Sequence, residues 1–74
     1  MRTMCTAVPF RDLLTRISGM TFESSHHREC EIKRWALILA KQKMNLDCGF
    51  KEVQFEFDTC RQCCYVTLEL YEDK

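Results

Sequence analysis

A chain of 74 residues has room for one domain, and 46% hydrophobic with 30% charged residues excludes a disordered tail. No run of about eighteen apolar residues could span a bilayer, and the N-terminal residues lack the long apolar core expected of a secretory signal. A formal net charge of zero argues against a domain built mainly to hold nucleic acid.

The charge is nonetheless uneven. Up to Leu46 there are 8 Lys/Arg against 4 Asp/Glu, and from Asp47 onward 3 against 7, so the first part is basic and the second acidic. A domain this small nearly cancels its burial energy against an ordering cost of about 1.5 kcal/mol per residue. A dimer partner, a metal or a disulfide is therefore expected to help. The chain reads as cytoplasmic, where thiols stay reduced, although its 6 cysteines are many for the length.

Arg2 to Val8, with Thr, Val and Cys, can form a first strand. Pro9 then suits the first turn of a helix, where its missing N–H is not needed. Phe10, Leu13, Leu14 and Ile17 follow at the spacing of one helical face, and Gly19 stands where a left-handed cap is expected. A second helix is predicted from about His26 to Asn45, with Ser24 or Ser25 as its cap. Its apolar residues make two stripes: Ile32, Trp35, Ala36 and Leu39 in one, and His26, Cys30, Leu37, Ala40 and Met44 in the other. Such a helix is expected to lie between two layers, with helix one or a second copy on one side.

Asp47-Cys48-Gly49 should break this helix, with Gly49 taking the positive φ. The period then changes from 3.6 to 2. Val53, Phe55 and Phe57 alternate with polar residues, and so do Val66, Leu68 and Leu70, which predicts a hairpin with one buried face. With Arg61-Gln62 as the turn, Cys60 faces Cys63, Phe57 faces Val66, Phe55 faces Leu68 and Val53 faces Leu70. A slip of one residue would set every apolar side chain against a polar one. The expected architecture is α+β: two helices followed by a C-terminal antiparallel hairpin, with Arg2–Val8 available as a third strand.

Cys60 and Cys63, two residues apart at the hairpin tip, could grip one zinc ion together with Cys30 and His26 from the start of the long helix. Chain lengths bring the tip to that end of the helix. Against this, a lone C-x-x-C is half a zinc signature, and Cys60 and Cys63 fall on the polar face. A Cys60–Cys63 disulfide is a further option. Cys5, Cys48 and Cys64 read as small buried hydrophobes, and His26-His27 as solvated or capping groups. No catalytic triad and no phosphate-binding loop can be nominated, so no enzyme and no obligatory cofactor are expected.

The reading is of a small, non-catalytic, cytoplasmic protein that binds a larger protein as adaptor, inhibitor or regulator, with no membrane contact. Trp35 and Leu39 are expected to serve self-association as a homodimer, and Tyr65, Glu69 and Tyr71 an acidic–aromatic contact on the outer sheet face. The alternative is a zinc-stabilised module whose basic helix, with Arg28, Lys33, Arg34, Lys41 and Lys43, touches nucleic acid.

Overall fold

Pro9 lets a strand pass into a helix with no loop between them. Its backbone is extended (φ −62, ψ 143), so it ends strand β1 (Arg2–Pro9) while capping helix α1 (Phe10–Ile17). The Phe10 N–H left over at this junction donates to the Gln62 carbonyl at 2.9 Å. In this computed structural model, which describes residues 2–46 and 49–71, three further elements follow: α2 (Ser25–Lys43), β2 (Phe50–Asp58) and β3 (Cys63–Leu70). The strands form one antiparallel sheet in the order β1-β3-β2. The fold is α+β, and the N-terminal strand takes its place beside the hairpin.

Each helix end has an identifiable cause. At the start of α2 the Ser24 hydroxyl accepts from the His27 N–H at 3.1 Å, and His27 Nδ1 accepts in return from the Glu23 N–H at 3.2 Å. The first bond is an N-cap, and the second ties the residue before the cap to the first turn of the helix. At the other end Asn45 takes the left-handed conformation (φ 52), and Leu46 N–H reaches back to the Lys41 carbonyl at 2.9 Å. That is a Schellman closure. Asn45, and not the expected Gly49, therefore supplies the positive φ; Asp47 and Cys48, the rest of the expected break, lie outside the described residues.

The core lies between the helices and one sheet face. Cys64, Val66, Leu68 and Leu70 of β3 point into it, with Val8 of β1, Leu13 of α1, and Ala36 and Ala40 of α2. Ala36 comes from one predicted stripe and Ala40 from the other. The two stripes are thus the flanks of one broad face, and the small residues along its middle let α2 settle closely on the sheet. Ile32, Trp35 and Leu39 on one side, and Leu37 and Met44 on the other, pack partly buried against this core.

The hairpin register differs from the expected one by two residues. Phe57 faces Cys64, Phe55 faces Val66 and Val53 faces Leu68, while Phe50 faces Leu70 across an irregularity between Phe50 and Glu52. A slip of two keeps every side chain on its face, so alternation alone is blind to it. The turn decides. Asp58 Oδ1 accepts from the N–H groups of Cys60 (3.0 Å) and Arg61 (3.1 Å), and Gln62 is left-handed at φ 54. These contacts close a four-residue loop, Thr59 to Gln62, where a two-residue Arg-Gln turn would have lacked the residues that type needs.

Gly19 (φ 85) follows Ser18 (φ −61, ψ 130), and Met20 N–H bonds the Ile17 carbonyl at 3.1 Å, which is a type II turn with glycine at its third position. A Cβ at Gly19 would meet nothing within 4 Å. Gly19→Ala should therefore lower stability by about 1–2 kcal/mol through backbone conformation alone. Denaturant melts of the two proteins check this, with an unchanged dependence on denaturant expected because no packing is lost.

Candidate functional site

Helix α1 packs on α2 and β1, and α2 packs on β1 and β3, so the helix layer sits over one side of the sheet. Strand β2 has β3 as its main partner. Its inward side chains are covered unevenly: Val53 and Phe55 are half-buried, but Phe57 keeps 40% of its surface exposed. Leu14, on the α1 face expected to be buried, is 52% exposed. Of the four apolar residues on this face, Leu13 and Ile17 are buried and Leu14 is left at the surface.

Leu14 and Phe57 border the same groove. Phe10, Leu13 and Leu14 of α1, Ile32 of α2 and Phe57 of β2 line a space of ≈ 190 Å³, with Arg28 the one charged residue at its border. The Phe10 and Phe57 rings lie 6.3 Å apart, tilted by 40°, and tie the start of α1 to the end of β2. Among the described residues no polar or charged side chain is fully buried. The groove can therefore offer apolar contact and one cation, but not a set of convergent polar groups.

The residues expected to touch partners divide between two faces. Trp35 is half-buried on α2, with the Arg16 guanidinium 5.4 Å and the Arg34 guanidinium 5.5 Å from its ring. Leu39 lines a shallow depression with Asp12, Thr15 and Arg16. On the far side of the sheet, Tyr65 accepts from Arg61 at 3.3 Å, and Glu69 is paired with Lys51 at 3.6 Å. Tyr71, just past the end of β3, is 64% exposed. The structure thus sets Tyr65 and Glu69 on one face and Trp35 and Leu39 on the opposite layer.

Of the four residues expected to hold zinc, two meet. His26 Nε2 and Cys30 Sγ stand 3.6 Å apart, one turn apart on the exposed start of α2. Cys60 is exposed in the hairpin turn, whereas Cys63 is buried between Pro9 and Asp58; both are free thiols. Among the described residues no three His, Cys, Asp or Glu side chains gather into a group able to hold a metal ion. The cations of α2 serve several internal contacts: Arg34 with Glu31 at 3.3 Å, Lys33 with Glu29 at 3.9 Å, and Lys43 donating to the Ala7 carbonyl at 2.7 Å.

From the sequence, Phe10, Leu14 and Phe57 read as core-facing residues and Arg28 as part of the basic helix, and nothing in local pattern joins them into one groove. Alternation makes Phe57 a core residue, and periodicity does the same for Leu14; only the arrangement of the layers exposes them. Among the described residues, no helix is long and apolar enough to cross a membrane. Comparisons with protein-family models, with curated proteins and with solved structures find no match.

Two outcomes test this geometry. The Trp35 Nε1 is buried with no hydrogen-bond partner among the described residues. An orphaned donor costs about 1–3 kcal/mol, so Trp35→Phe should be nearly neutral, its lost contacts offset by the relief of that donor. Trp35→Ala should cost about 3 kcal/mol, and thermal melts of both variants distinguish the two effects. Burial pushes the Cys64 thiol above its ordinary range, opposed in part by a hydrogen bond with the Glu56 backbone. Since the folded value is the higher one, the neutral thiol's contribution is whole below the unfolded pKa of about 8.5. It is lost as pH rises through the folded value. The stability advantage of the native chain over Cys64→Ala should accordingly shrink as pH rises above about 8.5, as measured by urea unfolding at each pH.

Proposed function

We propose that this domain is a non-catalytic binding module, an adaptor, inhibitor or regulator of a larger protein, and that it docks through the groove between α1, α2 and the end of β2. The observation that carries this reading is the joint exposure of Leu14 and Phe57 around one apolar groove with Arg28 at its wall. Apolar and aromatic side chains around a concave surface, with a single arginine, have the composition of an interface centre. The same surface lacks the convergent polar groups that a catalytic pocket needs. An apolar anchor flanked by a carboxylate on the partner would satisfy both the groove and Arg28.

Self-association through Trp35 and Leu39 belongs to the same reading as a secondary contact. Both flanks of α2 already pack on the chain's own core, so a second copy would add to a covered helix.

The full chain, tagged and used to capture proteins from its source cell, supplies a partner for direct titration. Leu14→Glu should weaken that complex at least about ten-fold, equivalent to about 1.4 kcal/mol, with no change in melting temperature. If Tyr65→Ser or Tyr71→Ser produced the loss and Leu14→Glu did not, the docking face would be the outer sheet surface, and the groove assignment would fall.

A further inference from the structure

The two edges of the sheet are not equally guarded. On β1, Lys43 reaches from the end of α2 to the Ala7 carbonyl at 2.7 Å, placing a charge on the edge where another strand would pair. On β2, the irregularity between Phe50 and Glu52 disturbs one end, but the run from Val53 to Asp58 pairs regularly with β3. Among the described residues no strand pairs with its other side. Such an edge presents a row of backbone donors and acceptors to any extended chain.

The side chains along this edge carry a two-faced charge pattern. Toward the helices lie Val53, Phe55 and the exposed Phe57, with Lys33 Nζ 6.0 Å from the Phe55 ring. On the opposite face lie the exposed carboxylates Glu52 and Glu56, separated by Gln54, and then Asp58 at the turn. A second copy fits this edge badly in the two registers that overlap most of its regular run. Antiparallel pairing of β2 with itself about Gln54 sets Glu52 against Glu56, and pairing about Phe55 sets Glu52 against Asp58. Like charges directly opposite are destabilising. The β1 strand of another copy would bring Thr3, Cys5 and Ala7 to that face, none of them cationic.

We infer that the β2 edge accepts an extended segment of a different protein, one that alternates apolar residues with Lys or Arg. Its apolar side chains continue the Val53–Phe55–Phe57 row, and its cations face Glu52 and Glu56, while Asp58 stays with the turn and Arg61. Main-chain hydrogen bonds supply the pairing, while the alternation selects the partner. The inference rests on the reading of the domain as a binding module and adds to it the chemistry of the ligand.

The probe is a fluorescent ten-residue peptide alternating valine with lysine and arginine, titrated into the full chain. A companion peptide carries glutamate at every cationic position. The basic peptide should bind at least ten-fold more tightly than the acidic one, and the E52K/E56K double variant should reverse that preference. Two N-methylated forms of the basic peptide, blocked at odd or at even residues, separate strand pairing from simple charge attraction. A strand uses one of its edges, so one form should lose binding and the other keep it. The amides of β2 should also gain protection from hydrogen exchange. Equal binding of both N-methylated forms, equal binding of acidic and basic peptides, or protection confined to α1 and α2 would each overturn the inference. Leu14→Glu keeps the two readings apart. If the basic peptide fails to bind while Leu14→Glu still loses the cellular partner, strand addition falls and the groove stands. If the peptide binds along β2 and Leu14→Glu leaves the partner's affinity unchanged, the groove falls and the edge stands.

Discussion

The inner face of β3 is the contact on which the rest of this molecule depends. Val66 and Leu68 are fully buried there, with Cys64 beside them and Leu70 at the end of the row. They meet Ala36 and Ala40 of α2 from above, Val8 of β1 from one side and the apolar row of β2 from the other. A fully buried aliphatic side chain contributes about 1.5–3 kcal/mol, and a domain of this size has little else to draw on. The alanines matter as much as the larger residues, because a bulkier side chain at either position would lift α2 from the strand that organises both edges.

This central position of β3 explains why the two edges differ. The helices follow β1 in sequence and fold back over β1 and β3, while β2 arrives afterwards and adds on the uncovered side. Helix α1 has eight residues and is about 12 Å long, whereas the nine residues of β2 extend for about 30 Å. So short a helix cannot line the whole strand. Phe57 and Leu14 are the remainder, apolar residues that the fold's own pattern turns toward the helices but does not fully enclose. The groove thus follows from the short cover over the inner face of β2, and the edge from the place of β2 at the end of the strand order.

The cysteines follow the same logic of position. Cys64 is inward on the central strand and behaves as a core residue whose thiol is kept protonated by burial. Cys63, its neighbour, faces the other way and is still buried, because it is flanked by Pro9 on one side and Asp58 on the other. Cys5, Cys30 and Cys60 are exposed on an edge strand, a helix start and a turn. Likewise His27 is spent on capping α2, while His26, one residue earlier, reaches Cys30 instead.

What the sequence determined by itself was every choice that depends on neighbours within a few residues. The change of period from 3.6 to 2, Pro9 and Gly19 at the ends of α1, and Ser24 before α2 located the elements. The strict alternation in β2 and β3 determined which side chains share a face. The tertiary structure decided what local pattern cannot express. A two-residue slip preserves every face, so Asp58 and Gln62 set the register through the turn. Gly49 gave way to Asn45 because the hydrogen bonds that close α2 fall one turn earlier. The strand order made β2 an edge, and only that order, with a short α1 above it, turned Leu14 and Phe57 from core residues into surface ones. Burial is a property of the whole arrangement of layers, which periodicity along one element does not contain.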